Sequence, residues 1–267
     1  MKEITIVLGN STNSIQIVPL GDLHIGDPNC DLDSIKRTID YIKDTPSCYT
    51  ILNGDLMNNA LKSSKSDSYV ETMTMEEEQD ALIDLLMPIK NKILYMTQGN
   101  HEYRTSLLCG IDPLKSVARA LGLLENGRYG DNSYLLTLIF GKRNGSANVQ
   151  NTYTIFGMHG CGGGKRMGST ANGLEDMALI VANADLYIHS HTHNQLSFTK
   201  PIFVYNQNNK ELELHNRVFY NTNSFVLYGG YAERKKLAIG DNEPSAITIT
   251  FIRDAGKMRK LTNIIKI

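Results

Sequence analysis

Apolar runs in this sequence end repeatedly in a small residue that is followed by Asp, Asn or His. The clearest run spans Ile93 to Met96 and stops at Gly99, which precedes Asn100 and His101. An apolar run that stops at glycine is typical of a buried strand that ends at the edge of a sheet. Similar segments are Asp22-Leu-His24, Gly54-Asp55, His159-Gly160 and His191-Thr-His193. The chain is therefore predicted to place metal-binding or proton-binding side chains at the ends of several strands.

The elements between these segments predict an α/β fold with parallel strands. Apolar runs predict two strands around a turn at 3–8 and 14–20, and further strands at 49–52 and 93–96. Helical spacing of apolar residues predicts helices at 31–43 and 76–89, between the last three of these strands. Because strand–helix–strand units pair in parallel, Asp22 and Asp55 are expected at neighbouring carboxyl ends of one sheet.

A second group of strands is predicted from residue 133 onwards. Strands are expected at 133–140 and 152–158 as one hairpin, at 185–188, at 198–205 and 212–220 as another hairpin, and at 245–253 as the last element. Further helices are expected at 112–121 and 174–181. Together these elements are expected to form a single domain of residues 1–267, with the motifs at about residues 14–225.

Composition and charge exclude several classes of protein. With 27 Lys and Arg against 28 Asp and Glu, the net charge is -1, so the chain lacks the overall positive charge of a duplex nucleic-acid binder. The 4 cysteines form no Cys-x-x-Cys pair, which argues against a zinc knuckle and a disulfide scaffold and favours a cytoplasmic setting. The first apolar stretch is too short for a signal peptide, and no membrane span or membrane partner is expected.

Oxygen and imidazole donors at several strand ends favour a site for two divalent transition-metal ions. A lone Asp-x-His is weak evidence, because a core histidine that is bonded to a nearby Asp is common. Of the 7 histidines, however, only His215 lies away from these segments. Manganese is the expected metal, and iron or zinc would suit the same donors.

Taken in order, these segments resemble those of the calcineurin-like metallophosphoesterases. The resemblance implies an α/β fold, a four-layer sandwich of two mixed β-sheets flanked by helices, with the site at the strand ends. It also implies two metal sites that share Asp55 as a bridging ligand. One metal would bind Asp22, His24 and His193, and the other would bind Asn100, His159 and His191. His101 would then face the substrate as a catalytic residue rather than bind metal.

The reaction implied is hydrolysis of a phosphoester. A hydroxide held between two cations about 3.5 to 4 Å apart would attack phosphorus in line. His101 is expected to give a hydrogen bond or a proton to the substrate. Glu102 or another nearby carboxylate is expected to orient its ring.

The sequence departs from the family pattern at some positions. Ser190 stands before the His-x-His pair, where the family usually has glycine. His189 adds a histidine that the motif does not need, and a structural hydrogen bond is its simpler interpretation. Some relatives have Asp or His three residues after the aspartate of Gly-Asp, whereas this chain has Asn58. Since the double-strand-break nucleases of the family have His there, Asn58 weakens a nuclease assignment.

Candidate substrate-binding residues lie in two basic segments and at Asn58. Lys165 and Arg166 follow a glycine-rich stretch after His159, where flexible backbone and two cations could receive a phosphate; a plain surface turn explains the pattern equally well. The basic run that begins at Arg234 follows aromatic residues that could stack a base, although such runs are more often solvated. The candidates are Asn58, Lys165, Arg166 and Arg234.

Three functions remain open at this point. A phosphodiesterase acting on nucleic acid or a nucleotide is favoured, because the polar stretch at 58–72 is too short to enclose a large ligand and local cations could hold a flanking phosphate. The alternative is a phosphomonoesterase, including a Ser/Thr protein phosphatase. A non-catalytic binding scaffold is disfavoured, because every ligand position that the resemblance implies is present.

Overall fold

The computed structural model of the chain describes residues 1–9, 13–62, 70–141, 151–162, 164–230, 233, 239–240, 242–254 and 257–267. The helices are α1 (Leu32–Asp44), α2 (Met75–Leu86), α3 (Asn100–Cys109), α4 (Leu114–Ala120) and α5 (Met167–Ile180), and a 3-10 helix (Met87–Lys92) follows α2. The strands are β1 (Lys2–Val7), β2 (Ser14–Leu20), β3 (Cys48–Asn53), β4 (Ile93–Thr97), β5 (Tyr129–Gly130), β6 (Tyr134–Ile139), β7 (Thr152–Gly157), β8 (Leu186–His189), β9 (Leu196–Asn206), β10 (Glu211–Asn221), β11 (Ser245–Asp254) and β12 (Lys257–Lys266).

These strands form two mixed sheets. The first sheet has the order β12-β11-β2-β3-β4-β5, in which β2 to β5 are parallel. The second sheet has the order β1-β6-β7-β8-β10-β9, in which β7, β8 and β10 are parallel. The predicted strand–helix–strand units are confirmed, because α1 follows β2 and α2 follows β3. In each sheet the carboxyl ends of the parallel strands therefore meet at one edge.

The two sheets face each other across an apolar core and carry helices on their outer faces. Ile17 and Ile51 of the first sheet belong to the same buried cluster as Leu136 and Ile155 of the second. Buried residues of α1, α2 and α4 pack with the first sheet in another cluster. Residues of α5 pack with the second sheet in a third cluster. This helix–sheet–sheet–helix arrangement confirms the predicted four-layer sandwich.

Local sequence explains where the first two helices begin. The side chain of Asp31 accepts a hydrogen bond from the Ser34 N–H at 3.0 Å, which caps α1. Thr74 and Glu77 form a capping box at the start of α2. Each helix then buries an apolar stripe at helical spacing, as the sequence predicts.

Several elements differ from the prediction, and three of these differences affect the architecture. Helix α3 has no apolar period, since its buried residues are Glu102 and Thr105, and the sequence pattern therefore missed it. Strand β12 follows β11, so the strand predicted at 245–253 is not the last element, and both strands join the first sheet rather than the second. Strand β1 lies in the second sheet although β2 lies in the first, because β1 pairs in parallel with β6. Pairing between distant strands decides these placements.

Two predicted loops fall partly outside the described residues. These are the turn after β6, of which residues 142–150 are not described, and the stretch 58–72, of which 63–69 are not described. The described ends of that second stretch contain no helix, which is consistent with a loop. None of the described helices has both the length and the hydrophobicity needed to cross a membrane.

Candidate metal centre

Loops after the parallel strands of both sheets meet at one end of the sandwich. The first sheet contributes Asp22 and His24 after β2, Asp55 after β3, and Asn100 and His101 after β4. The second sheet contributes His159 after β7 and the His191–His193 pair after β8. Backbone hydrogen bonds join neighbouring loops, such as the one from the Asp22 N–H to the Gly54 carbonyl at 3.0 Å. The predicted convergence of these side chains therefore follows from strand order.

Backbone strain is concentrated at the same residues. Five of the predicted ligands have a positive φ angle: Asp22 (52°), His24 (48°), Asp55 (48°), His191 (67°) and His193 (55°). Residues other than glycine adopt this conformation rarely, and such residues cluster at functional sites where the surrounding fold holds them. The loops are therefore shaped to aim side chains rather than to minimise local energy.

Asp22, His24 and His193 form one donor cluster, whose ligand atoms all lie within 4.8 Å of one another. The Nε2 atoms of His24 and His193 are 3.2 Å apart, and Asp22 Oδ1 lies 3.4 Å from His193 Nε2. Asp22 Oδ1 is fully buried and has no hydrogen-bond partner among the described residues. A buried carboxylate oxygen without a partner is costly unless a cation satisfies it. This cluster therefore fits a divalent cation.

Asp55, His159 and His191 form a second cluster. Asn100 adds its amide oxygen, which lies 3.1 Å from His159 Nε2. The ring nitrogen on the other side of each histidine contacts a carbonyl: His159 Nδ1 lies 2.9 Å from the Asn53 oxygen, and His191 Nε2 lies 2.8 Å from the Gly162 oxygen. Metal-binding histidines characteristically donate the N–H of one ring nitrogen in this way. The other ring nitrogen then keeps a lone pair that can bind a metal ion.

Asp55 lies between the two clusters. Its Oδ2 is 3.2 Å from His159 Nε2, 3.8 Å from His101 Nε2 and 4.0 Å from His24 Nε2. Its other oxygen accepts the His101 N–H at 2.8 Å, and Asp22 Oδ2 accepts the His191 N–H at the same distance. Each aspartate thus uses one oxygen to hold a loop and turns the other towards the donors.

Charge interactions in the site are strong. Burial disfavours the imidazolium form of His159, but the Asp55 carboxylate outweighs it and raises the pKa of His159 to about 10. Burial and the neighbouring His101 lower the pKa of His24 to about 3. The histidines around Asp55 overcome its burial and hold its pKa well below the usual range. Two buried carboxylates therefore attract positive charge, which a proton or a metal ion can supply.

His101 stands at the edge of both clusters and has a distinct environment. Its Nδ1 lies 2.6 Å from the Asn58 carbonyl oxygen, which can only accept, so Nδ1 carries the hydrogen. Arg104 donates to the carbonyls of Asn58 and Asn59 at 2.9 and 3.1 Å, and its guanidinium lies 2.9 Å from His101 Nδ1. His101 Nε2 then faces Asp55 as an acceptor. His24, Asp55 and His101 also satisfy the distance requirement for a metal cluster.

Glu102 does not orient the His101 ring, which corrects the sequence-based expectation. Its buried carboxylate instead accepts backbone N–H groups from Asp55, Leu56 and Met57, at 3.1, 2.8 and 3.0 Å, and from Gly99 at 2.8 Å. Glu102 therefore fixes the loop that carries Asp55 against the start of α3. The Asn58 carbonyl and Arg104 hold the ring in its place, and no sequence pattern pointed to Arg104 because α3 itself was not predicted.

Ser190 fits in the position where the family usually has glycine. It is fully buried, and its Oγ accepts hydrogen bonds from Asn53 Nδ2 at 2.7 Å and Thr222 Oγ1 at 2.9 Å. A Cβ on Gly21 would lie 2.5 Å from this Oγ, so Gly21 leaves the space that Ser190 occupies. His189 Nδ1 lies 2.7 Å from Asn221 Oδ1, which agrees with a structural hydrogen bond.

The predicted substrate-binding residues are less closely grouped. Asn58 is buried, and its side-chain amide donates to Glu71 Oε1 at 2.9 Å. Its backbone carbonyl contacts His101, so the contacts of Asn58 position His101 rather than face a substrate. Lys165 and Arg166 are exposed in the loop before α5. That loop reaches the site through the Gly162 carbonyl. Arg234 lies outside the described residues.

The chain was compared with solved structures and with curated proteins. Vacuolar protein sorting 29 from Cryptosporidium parvum is 15% identical, with 95% of this chain and 98% of that chain covered and a TM-score of 0.42. Wild-type Vps29 from Entamoeba histolytica, solved with zinc, is 11% identical, covers 94% and 99%, and has a TM-score of 0.39. A predicted phosphoesterase from Streptococcus pneumoniae is 13% identical, covers 95% and 100%, and has a TM-score of 0.35. No curated protein matches the chain.

A family-level match gives the clearest result. A sequence model of the calcineurin-like phosphoesterases matches residues 15–195, which is more than half of the chain. The matched region contains Asp22, Asp55, His159 and the other donors described above. Members of this family use divalent metals, and the two donor clusters suit such ions. The chain therefore belongs to the calcineurin-like phosphoesterases.

Proposed function

We propose that this protein is a dinuclear metal-dependent phosphodiesterase that acts on a nucleotide or on nucleic acid. Family membership supports metal-dependent phosphoester hydrolysis in general. The observation that carries the dinuclear proposal is the position of Asp55, whose Oδ2 lies within 4.0 Å of histidine nitrogens from both donor clusters. A carboxylate in this position can serve two cations at once. Manganese is the ion that we propose for both positions.

The candidate ligands and His101 have different roles in this proposal. When bound, the two cations would polarise the phosphoester and acidify a water molecule. Asp22, His24 and His193 would hold one cation, and Asn100, His159 and His191 would hold the other, with Asp55 shared. His101 Nε2 faces the same space without a carbonyl or carboxylate partner closer than 3.8 Å among the described contacts, so it is available to the substrate.

Preference for a diester is supported by the surroundings of the site. The loop from Gly160 to Gly162 contacts His191 through its backbone, and Lys165 and Arg166 follow it with exposed side chains. Cations beside an open site can hold the second phosphate of a nucleotide diester. A monoester lacks that second contact.

Hydrolysis of bis-p-nitrophenyl phosphate and of p-nitrophenyl phosphate, each with added manganese, tests this proposal. We expect the wild-type protein to cleave the diester faster. His101→Asn should lower turnover by about 100-fold or more and keep the bound metal, because His101 acts on the substrate. His215→Asn is the matched control, since His215 is exposed on β10 and away from the site.

Three results would contradict parts of the proposal. Faster cleavage of the monoester would favour a phosphomonoesterase, including a protein phosphatase. Loss of metal in His101→Asn would make His101 a ligand, which its distance to Asp55 and His24 permits. Metal binding without turnover of either substrate would indicate a binding scaffold.

A further inference from the structure

The outer half of the β9–β10 hairpin projects from the second sheet. Strand β10 pairs with β8 only from Val218 to Asn221, but it pairs with β9 along its whole length. Residues 200–206 and 211–217 therefore form a two-stranded ribbon without a third strand among the described residues, which we call the arm. Asn221 pairs with His189 at the metal centre, so the tip of the arm lies at the other end of the strand.

One face of the arm is apolar and exposed. Phe203 pairs across the strands with Leu214, and Tyr205 pairs with Leu212. Their exposed fractions are 71% for Phe203, 57% for Tyr205, 67% for Leu212 and 63% for Leu214. Because side chains alternate between the faces of a strand, these four share one face. Soluble monomers rarely expose a contiguous apolar patch of this kind, and such patches typically mark interaction sites.

Every charged residue of the arm lies on the reverse face. These residues are Lys200, Glu211, Glu213, His215 and Arg217. On that face Ile202 pairs with His215 and Val204 pairs with Glu213, and both apolar residues are half-buried. The apolar face is completed by Pro201 and Asn216, which are uncharged. The two faces of the arm thus differ in charge as an interface and a solvated surface differ.

We propose that the apolar face of the arm binds the same face of a second copy of this chain, which makes the protein a homodimer. The face can pack on a copy of itself, because its four large exposed side chains are aromatic or aliphatic and none carries a charge. Val218 and Tyr220 continue this face of β10 into the core between the two sheets, so a two-fold axis across the strands, which stacks the arms in opposite directions, keeps the two bodies apart. The uncharged face brings no like charges together in this arrangement.

The size of the patch suits this occupant. Four large side chains that are each more than half exposed present on the order of 500 Å² per copy. Stacking two copies would bury on the order of 1,000 Å² in total, which reaches the lower limit of specific protein interfaces. The dimer is therefore expected to be reversible.

Sedimentation equilibrium of the 267-residue chain at about 1 to 100 μM tests the proposal, since weak dimers dissociate across this range. We expect a concentration-dependent dimer. Leu214→Lys should weaken dimerisation by about 100-fold, because the two-fold axis places the new charge in the interface twice. His215→Lys is the matched control: it adds the same side chain one residue away on the reverse face and should leave dimerisation unchanged.

Circular dichroism would show that both variants are folded, and Tyr205→Lys provides a second substitution on the same face. Hydrogen exchange of the wild-type protein should also slow in residues 203–205 and 212–214 as concentration rises. A monomeric wild-type protein at 100 μM, whether or not it binds lipid vesicles or another protein, would overturn the proposal. Equal dimerisation of Leu214→Lys and wild type would overturn it as well.

Discussion

Arg104 lies outside the predicted ligand set but contacts the candidate site directly. Its guanidinium donates to two carbonyls of the loop after β3 and lies against the His101 ring. The Asn58 carbonyl thereby stays in place to accept from His101 Nδ1. A carbonyl, unlike a carboxylate, adds no negative charge behind the ring, and burial lowers the pKa of His101 while Arg104 opposes the attraction of Asp55. These effects favour the neutral ring with its hydrogen on Nδ1, so Nε2 faces the site as an acceptor and not as the donor expected from the sequence.

Arg104→Met should lower turnover of the diester by roughly 10- to 100-fold with little change in Michaelis constant, because it loosens a positioned catalytic group. This prediction depends on the proposed activity. Arg104→Lys should restore part of the rate, since it keeps the charge. Metal analysis and steady-state kinetics measure both effects, and Arg119→Met on the exposed side of α4 serves as control. Loss of metal from Arg104→Met would show that the arginine supports the ligands instead.

Glu78 gives the folded protein a pH dependence of its own. Its carboxylate is buried, accepts the Asn59 N–H and lies beside Glu71; burial, followed by Glu71, raises its pKa from 4.5 to about 9. Between these values the folded protein holds a proton that the unfolded chain has released. The contribution of Glu78 to the free energy of unfolding is therefore present below about pH 4.5 and is lost as pH rises towards 9.

Glu78→Gln should consequently be more stable than wild type at pH 8 to 9 and should show a shallower decline in stability with pH, because glutamine accepts the same hydrogen bond without titrating. Urea unfolding at a series of pH values measures this difference. Glu76→Gln, on the exposed side of the same helix turn, should follow the wild-type curve. Parallel curves for Glu78→Gln and wild type would contradict the assignment.

At the scale of elements, the start of α3 packs so closely on the loop after β3 that position 99 has no space for a side chain. A Cβ on Gly99 would overlap the Asp55 carboxylate and its backbone nitrogen. Glu102 completes this junction by accepting the N–H groups of both Asp55 and Gly99. The start of α3 therefore sets the position of Asp55.

Gly99→Ala should destabilise the protein by about 2 kcal/mol or more, because the added methyl group must displace backbone or carboxylate atoms. It should also reduce metal content. Gly110→Ala, at the other end of the same helix, is the control: Gly110 has φ of +67° and no described atom within 4 Å of the added carbon, so a cost of about 1 kcal/mol without metal loss is expected. Urea unfolding and metal analysis test the pair. Full metal content in Gly99→Ala would contradict the prediction.

At the scale of the molecule, the candidate metal ligands come from both sheets. Asp22 and His24 come from the first sheet and His193 from the second, yet they form one donor cluster. The second cluster is shared between the sheets in the same way, through Asp55 and His159. A bound cation would therefore add a connection between layers that already share the apolar core and hydrogen bonds such as the one from Asn53 Nδ2 to Ser190 Oγ.

Manganese should raise the melting temperature in a concentration-dependent way, because it binds the folded chain and not the unfolded one; a concentration 100 times the Kd stabilises by about 2.7 kcal/mol. EDTA should reverse the shift. Asp55→Ala should abolish most of it by removing a ligand from both sites, whereas His24→Ala should remove only part. Thermal unfolding followed by circular dichroism tests this. An equal response of Asp55→Ala and His24→Ala would contradict the shared role of Asp55.

The sequence alone was sufficient for the elements whose residues carry a local period. Strands β2, β3 and β4 and helices α1 and α2 follow from apolar spacing and capping residues, and their order predicts a parallel arrangement. Strand order in turn predicts that Asp22 and Asp55 lie side by side. The ordered motifs also identify the family, because they depend on residue type and spacing along the chain.

Only the tertiary structure decided what depends on contacts between distant residues. Helix α3 was missed because its buried face consists of Glu102 and Thr105, whose burial is favourable only with partners from other loops. The pairing of β1 with β6, and of β11 with β2, is set by packing across the core and leaves no local pattern. The roles of Arg104 and the Asn58 carbonyl are of the same kind, since a backbone carbonyl is present at every residue and only folding brings a particular one to His101.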